Sequence, residues 1–287
     1  MAAAAVPVVV GTAIGRWIDH AAGAPAHGLG GPGGVIWWRA LCALVIGLAV
    51  QIGTNYANDY SDGIRGTDER RVGPVRLVSS GLASPEAVRN AALASFGVAA
   101  VAGLALAAAT SWWLIALGVA CFAAGWLYTG GPVPYGYLGL GEVFVFAFFG
   151  VVATVGSAYV QTGDVRLVAF VASLPVGFLA TALLEANNLR DVTGDAAAAK
   201  RTLAVRLGRE RGGWLYAALL VAAACGVGLL AWWRPLALLA LLAIPLAARP
   251  VRAVLGGARD RELLPVLGAT GRMQLAVGLL LAIGILA

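Results

Sequence analysis

A cluster of carboxylates and carboxamides ends a long apolar segment in the first quarter of the chain. It contains Asn55, Asn58, Asp59 and Asp62, and Asp68 follows in the next loop. At about 100° per residue, Asn55, Asp59 and Asp62 share one helix face, and Asn58 sits one turn before Asp62. An ionisable residue in a membrane span costs roughly 2.5–3.5 kcal/mol on insertion scales, so such residues are functional candidates. Their hard oxygen atoms suit a Mg²⁺ ion that takes the rest of its shell from water and a substrate phosphate.

Two simpler interpretations of this cluster stay open. Asn and Asp residues at a helix end are often a solvated cap, with glycines such as Gly66 in the following turn. A calcium-binding loop is the second alternative, and four of its positions are matched, by Asn58, Asp62, Gly63 and Glu69. However, Tyr60 occupies a ligand position of that loop, and Arg65 replaces its apolar residue. The calcium loop is therefore the weaker alternative.

A second acidic cluster ends a later apolar segment. Asn187, Asp191 and Asp195 stand at positions i, i+4 and i+8, which places them on one helix face, and Asn188 lies three residues before Asp191. Glu185 precedes this group. Two clusters at matching places, about four spans apart, suggest an internal four-helix repeat whose halves meet at a shared site.

Cations accompany both clusters. The first is followed by Arg65, Arg71 and Arg76, and the second by Arg190, Lys200 and Arg201. Carboxylates on two helices with arginines beside them are the composition expected for a metal-bridged diphosphate, in which guanidinium groups bind the remaining phosphate oxygens. Lys200 is the only lysine among the 20 Lys and Arg residues, which favours a specific role as a compact point charge.

A loop between the two clusters is rich in Gly, Pro and Tyr. Tyr128, Tyr135 and Tyr137 lie on the same predicted membrane face as both clusters. Aromatic rings can stabilise a cation by their faces. Glu142, which opens the next span, is a candidate base or hydrogen-bond acceptor. An ordinary connector with interfacial tyrosine anchors is the alternative.

The composition indicates an integral membrane protein. Of the 287 residues, 60% are hydrophobic and 12% are charged, whereas soluble domains average about 45–50% and 25%. The first ten residues lack a basic region, so no cleaved signal peptide is predicted. The three cysteines lie inside apolar runs and are interpreted as small buried hydrophobes. No nucleic-acid partner is expected, and the sequence does not predict an oligomeric state.

Membrane helices need about 20 apolar residues each, and approximately nine stretches meet this requirement. They are residues 2–19, 35–57, 86–109, 111–128, 139–160, 165–187, 212–232, 235–251 and 271–287. The predicted fold is therefore all-α: one integral membrane domain over residues 1–287, a bundle of about nine transmembrane helices with the four-helix repeat.

The charges predict an orientation for this bundle. Of the 20 Lys and Arg residues, all but Arg16, Arg39, Arg166 and Arg234 lie on the side of the two acidic clusters. By the positive-inside rule this side is cytoplasmic, which puts the N-terminus inside and the C-terminus outside. We expect a multi-pass protein of the cell (inner) membrane with its active-site loops in the cytoplasm.

These motifs resemble the UbiA superfamily of membrane prenyltransferases, and within it the 1,4-dihydroxy-2-naphthoate polyprenyltransferases. The matching stretches are 58–68, 71–81, 128–142 and 187–208, and the resemblance extends over about residues 5–285. The general pattern spaces the aspartates of its first motif four apart. Here Gly66 stands at that place and Asp68 follows two residues later, which is the form of the naphthoate branch.

Three features depart from the branch pattern. Ala199 stands where the branch usually has Gly before the Lys. The Arg-Pro-containing segment expected upstream is absent from this sequence. Glu185 occupies a position that the pattern does not assign.

The resemblance implies a chemistry that agrees with the residues. A polyprenyl diphosphate would ionise, 1,4-dihydroxy-2-naphthoate would attack the allylic cation, and loss of carbon dioxide would give demethylmenaquinone in menaquinone biosynthesis. Mg²⁺, as two ions bridging the diphosphate, would be held by Asp59, Asp62, Asp68, Asp191 and Asp195. Catalytic roles would fall to Asp62, Asp68, Asp191, Asp195 and Lys200. Substrate and diphosphate would be bound by Asn55, Asn58, Arg65, Arg71, Arg76, Tyr128, Tyr135, Glu142, Asn187, Asn188, Arg190, Lys200 and Arg201.

Two alternatives remain at this stage. The same fold could serve another acceptor, such as 4-hydroxybenzoate, haem, a chlorophyll precursor or a sugar phosphate, although the spacing of Gly66 and Asp68 disfavours these. An ion-coupled transporter is the second, but it should carry interrupted helices with charges near the middle of its spans.

Overall fold

A computed structural model describes residues 1–21, 34–67 and 73–287 of the chain. This described part is all-helical and contains no strand. Its nine principal helices are α1 Ala2–Ala21, α2 Trp37–Ile64, α3 Pro85–Ala109, α4 Trp113–Leu127, α5 Gly141–Thr162, α6 Leu167–Ala197, α7 Leu203–Leu230, α8 Pro235–Leu255 and α9 Asp260–Leu286. Eight of them are long and apolar enough to cross a membrane, and α4, with 15 residues, is shorter. The predicted all-α membrane bundle is confirmed.

The helices that carry the acidic clusters are longer than the apolar stretches suggest. α2 continues to Ile64 and α6 continues to Ala197, each beyond the predicted end of its span. With 31 residues and 1.5 Å per residue, α6 is about 46 Å long, which exceeds the roughly 30 Å hydrocarbon core of a bilayer. Likewise, α7 begins at Leu203, before the predicted residue 212, although a kink at Gly208, with a φ of +76°, interrupts it. Polar residues therefore extend the helices past the apolar core and hold the two clusters on regular backbone.

Small residues let these helices approach closely. A Cβ atom on Gly150 of α5 would come within 2.5 Å of the Gly177 Cα atom of α6, and a Cβ on Gly11 of α1 would come within 2.3 Å of the Thr154 carbonyl oxygen. Close backbone approach replaces the hydrophobic effect as the main source of packing energy between membrane helices. α1, α6 and α9 form the centre of the bundle, and α2 packs mainly on α3 while α6 packs mainly on α7. These matching pairs fit the expected four-helix repeat, which stays a prediction.

The three most exposed tryptophans lie at one end of the bundle. Trp37, Trp112 and Trp232 are 77%, 64% and 88% exposed, and Trp37 begins α2 at the end opposite to Asp62. Trp side chains concentrate at the membrane interface because the ring is apolar and its N–H is polar. Their position agrees with a bundle that spans the membrane.

Three local features position the site. The Ser84 hydroxyl accepts a hydrogen bond from the Ala87 backbone N–H and caps α3, and Thr202 caps α7 in the same way. Gly139, with a φ of +73°, ends the short 3₁₀ turn Tyr135–Leu138 that precedes α5. Residues 146–152 of α5 form a π-helical segment, a distortion that is frequent at functional sites. This segment faces the cavity described next.

Candidate active site

A cavity of about 890 Å³ runs through the bundle between helices α1 to α6. One end is apolar and is lined by residues such as Leu106, Leu117, Phe148 and Val160. The other end is polar and receives the carboxyl-terminal ends of α2 and α6. The cavity therefore joins a charged mouth to an apolar channel, as an amphiphilic ligand requires.

Lys200 joins the two acidic clusters at the polar end. Its Nζ lies 3.2 Å from Asp62 Oδ2 and 4.0 Å from Asp195 Oδ1. All three side chains line the cavity, and none is more than 12% exposed. The arrangement brings together the end of α2, the end of α6 and the α6–α7 loop, as the two sequence clusters predicted.

Tyr137 contacts both Asp62 and Lys200 from the side away from the cavity. Its hydroxyl donates to Asp62 Oδ1 at 2.8 Å and lies 3.0 Å from the Thr67 hydroxyl. The Lys200 Nζ lies 5.3 Å and the Arg65 guanidinium carbon 5.5 Å from the centre of its ring. Both distances are within the range of cation–π attraction. Tyr137 thus contacts three residues of the predicted site without lining the cavity.

Asp59 has different partners from Asp62. Its Oδ2 accepts the Leu77 N–H at 2.9 Å and its Oδ1 accepts the Val78 N–H at 3.1 Å. The side chain is buried, and it lines the same cavity. Both oxygens of this predicted metal ligand therefore bind backbone N–H groups of the segment that follows α2.

Arg190 and the buried Glu142 bind members of the second cluster, and Glu185 is buried next to Glu142. Arg190 donates two hydrogen bonds to Asp191, from Nε at 2.7 Å and from a terminal nitrogen at 2.6 Å. The Asn188 amide donates to Glu142 Oε1 at 2.8 Å. Glu185 is fully buried beside Glu142, and a Cβ on Gly212 of α7 would come within 2.7 Å of its Oε1. Glu142 and Glu185 therefore lie behind the cavity wall that Asn188 forms.

The tyrosine loop closes one side of the mouth. Arg65 donates to the Thr129 and Gly131 carbonyl oxygens, and the Thr129 hydroxyl donates to Asn58 Oδ1 at 2.9 Å. Tyr135 packs edge-on against Tyr128, with ring centres 5.4 Å apart. These contacts tie the loop to the end of α2.

Most of the predicted site residues meet at this cavity. The lining includes Asn55, Asn58, Asp59, Asp62, Arg76, Tyr128, Tyr135, Asn187, Asn188, Arg190, Asp191, Asp195 and Lys200. The structure does not bring Arg65, Glu142 and Arg201 to the cavity surface: Arg65 fastens the loop, Glu142 supports Asn188, and Arg201 is exposed. Asp68 and Arg71 lie outside the described residues.

Sequence reasoning missed Tyr137, Thr67 and Thr129 as site residues, and it left Glu185 unassigned. Tyr137 stood in the tyrosine loop, but nothing in its spacing distinguished it from an interfacial anchor. The burial of a carboxylate in an apolar stretch was a usable signal for Glu185. The two threonines carried no signal, because only the folded loop places them beside Asp62 and Asn58.

Burial and charge change the proton affinities at the mouth. Burial alone would lower the pKa of Lys200, but the carboxylates of Asp62 and Asp195 raise it above its ordinary value. Burial raises the pKa of Tyr128 to about 12, and burial together with Asp62 raises the pKa of Tyr137. Lys200 therefore stays a cation and both tyrosines stay hydrogen-bond donors at neutral pH.

The donor chemistry of the mouth fits Mg²⁺. Within residues 1–21, 34–67 and 73–287, no three His, Cys, Asp or Glu side chains already stand close enough to hold a metal ion. Yet Asp62 and Asp195 converge on one ammonium, and Asp191 lines the same space. Carboxylate oxygens are the ligands that Mg²⁺ prefers, with its remaining positions left to water and phosphate.

Fold and site together define a class: a multi-pass helical membrane protein with a charged mouth above an apolar cavity. Comparison with known proteins identifies a family within this class. Residues 21–262 match the model of the UbiA prenyltransferase family. The chain belongs to this family, as its motifs predicted.

Relatives within the family are close. The chain is 48% identical to a 1,4-dihydroxy-2-naphthoate octaprenyltransferase of Mycobacterium tuberculosis, over 96% of this chain and 90% of that protein. It is 34% identical to the protein of the same name from Escherichia coli, over 87% of this chain and 86% of the relative.

Solved structures share the fold at low identity. A UbiA homolog from Aeropyrum pernix K1 superposes with a TM-score of 0.66 at 14% identity, over 96% of each chain. A UbiA homolog from Archaeoglobus fulgidus bound to GPP and Mg²⁺ has a TM-score of 0.59 at 14% identity, over 97% of this chain and 96% of that one.

Proposed function

We propose that this protein transfers a polyprenyl chain from its diphosphate to 1,4-dihydroxy-2-naphthoate, with release of diphosphate and carbon dioxide, to give the quinol form of demethylmenaquinone, which air oxidises to demethylmenaquinone during extraction. The observation that carries the proposal is a cavity in which Asp62, Asp195 and Lys200 meet above an apolar channel. The relatives named for this reaction, at 48% identity over nearly the whole chain, support the choice of acceptor.

The residues of the mouth have distinct roles in this proposal. Mg²⁺, as two ions, would be held by Asp62, Asp68, Asp191 and Asp195, and bound metal would neutralise the diphosphate and improve it as a leaving group. Lys200 would place a compact positive charge between the two carboxylate groups and the phosphate oxygens. Arg76 and Arg190, which line the cavity, would bind further phosphate oxygens.

The remaining residues orient the two substrates. Asn58 and Asn188 are fixed by Thr129 and Glu142 and present amide groups to the cavity. Tyr128 and Tyr135 would face the allylic cation with electron-rich rings. The apolar channel along Leu106, Phe148 and Val160 would hold the polyprenyl tail and exclude water from the cation.

One assay tests the function. Membranes that contain the protein are given dihydroxynaphthoate, a prenyl diphosphate and Mg²⁺, and the extracted quinone is identified by mass spectrometry. We expect demethylmenaquinone, no product after chelation, and recovery when Mg²⁺ is returned. A product formed only with 4-hydroxybenzoate would show that 4-hydroxybenzoate is the acceptor. Activity that survives exhaustive chelation would overturn the assignment of Mg²⁺.

We also propose that the mouth opens to the cytoplasm of a bacterial-type cell membrane, with the N-terminus inside and the C-terminus outside. The one-sided distribution of Lys and Arg supports this orientation, and the tryptophans at the opposite end are compatible with it. A reporter that is active only outside the cytoplasm, fused to the C-terminus, should be active. The same reporter fused in the loop before α7 should be silent, and the reverse pattern would refute the orientation.

A further inference from the structure

Asp59 and the segment that follows α2 form one hydrogen-bonded unit. The Leu77 and Val78 N–H groups, from consecutive residues, donate to the two oxygens of the same carboxylate at 2.9 Å and 3.1 Å. Asp59 is only 5% exposed. Hydrogen bonds from N–H groups to a buried carboxylate are stronger than those between neutral groups. The carboxylate therefore fixes the backbone of this segment at two adjacent positions.

Packing fixes the same segment against α2. A Cβ atom added to Gly63, one turn after Asp59, would lie 2.5 Å from the Val78 Cγ1 atom. The segment also closes on itself, because the Ala83 N–H donates to the Leu77 carbonyl oxygen at 3.1 Å. Gly81 allows this closure with a φ of +72°. The segment is thus attached to α2 in two ways: by the hydrogen bonds to Asp59 and by the apolar contact between Gly63 and Val78.

The attached segment forms part of the cavity wall. Pro74, Val75 and Arg76 line the polar end, and Arg76 immediately precedes the two residues that Asp59 holds. A terminal nitrogen of Arg76 lies 3.4 Å from the Asn55 carbonyl oxygen on α2. Fixing Leu77 and Val78 therefore fixes the place from which the Arg76 side chain enters the mouth.

We infer that Asp59 is a positioning residue, which holds the segment of residues 74–81 on α2 so that Arg76 faces the substrate diphosphate, and that it does not act as a metal ligand. Its effect on prenyl transfer, which rests on the proposed function, is exerted through Arg76. Asp62, only three residues later, binds the side chains of Tyr137 and Lys200 instead, and it supplies the matched control.

The first measurement does not depend on activity. Hydrogen exchange of the detergent-solubilised protein, read by mass spectrometry, reports the Leu77 and Val78 amides directly. We expect both amides to be protected in the wild type and to exchange at least about tenfold faster in Asp59→Asn, because the amide keeps only one acceptor oxygen. Asp62→Asn should leave their protection unchanged. If Asp59→Asn does not accumulate, the exchange rates of the Leu77 and Val78 amides in the wild type still test the inference. Rapid exchange of these amides in the wild type would overturn it.

The second measurement is kinetic. Asp59→Asn should raise the KM for prenyl diphosphate by about tenfold and leave the half-saturating Mg²⁺ concentration within about twofold of the wild type. Arg76→Ala should give the same pattern, and Asp59→Asn combined with Arg76→Ala should be no worse than Arg76→Ala alone. A shift in the Mg²⁺ requirement as large as that of Asp62→Asn would make Asp59 a metal ligand. If the wild type transfers no prenyl group, the proposed function fails while the exchange result still tests the attachment.

Discussion

Asp62 at the end of α2 and Asp191 at the end of α6 occupy matching places in the two acidic clusters, yet their surroundings differ. Asp62 is bound by groups from distant parts of the chain, the Tyr137 hydroxyl and the Lys200 ammonium. Asp191 is bound through two oxygens by its neighbour in sequence, Arg190. The first contact requires the loop before α5 and the loop before α7 to be in place, whereas the second is available within one helix turn.

The two aspartates therefore play different parts, although their clusters contain the same types of residue. The contacts of Asp62 with Tyr137 and Lys200 can form only when the loops around the mouth are in place. A carboxylate paired with an adjacent arginine keeps that counter-charge when the loops move. We therefore expect substitutions in the first cluster to disturb more of the site than equivalent substitutions in the second.

The largest effects should follow removal of either carboxylate charge. Asp62→Asn and Asp191→Asn should each lower activity by about 100-fold or more while the protein still inserts and folds, because an amide oxygen is a far weaker Mg²⁺ ligand. Asp62→Asn should also lower the thermal midpoint in detergent, since it loses the Lys200 ion pair. Retention of more than about a tenth of the activity, a loss below roughly 1.4 kcal/mol, would remove that residue from the ligand set.

A smaller but sharper effect is expected at Lys200, which joins the clusters. Lys200→Ala should lose most of the activity, and Lys200→Arg should recover only part of it, because a planar guanidinium does not fit a site built for a compact ammonium between two carboxylates. Steady-state kinetics with each substrate varied in turn identifies the partner of the lysine. Wild-type kinetics in both variants would show that Lys200 only orients the α6–α7 loop.

Tyr137→Phe should reduce activity by about three- to tenfold, because it removes the hydrogen bond to Asp62 but keeps the ring beside Lys200 and Arg65. Thr67→Val is the matched control: it removes a contact of the same Tyr137 hydroxyl without removing a hydrogen bond to the Asp62 carboxylate, and its effect should be smaller. Tyr137→Leu should be more severe than Tyr137→Phe. Equal activity for Tyr137→Phe and the wild type would mean that Asp62 is held by Lys200 alone.

The smallest expected effect concerns pH. Because burial raises the pKa of Tyr128 to about 12, its hydroxyl should stay protonated between about pH 7 and 10, in contrast to a solvent-exposed tyrosine with a pKa near 10. The pH–rate profile of Tyr128→Phe should therefore run parallel to that of the wild type over this range. An alkaline limb that is present in the wild type and absent from Tyr128→Phe would show that the phenol titrates during turnover.

Sequence alone determined the membrane class, the all-helical fold and the family of this protein. Each of these depends on features that persist along the chain: apolar stretches long enough to cross a bilayer, and motifs such as 58–68 and 187–208. The helical period also predicted that Asn187, Asp191 and Asp195 share a face, and all three line the cavity. The span boundaries were less accurate, because polar residues continue α2 and α6 beyond the point where hydropathy falls.

Tertiary structure alone decided the partners of Asp59 and Asp62. Asp59 and Asp62 are three residues apart in one helix and of one type, yet one binds the backbone of residues 77 and 78 and the other binds Tyr137 and Lys200. The periodicity of a helix fixes the direction in which a side chain points but not the loop that packs against it. Contacts between segments as far apart as Asp62 and Lys200 depend on how the helices pack and where the loops close, and no local pattern in the sequence encodes that choice.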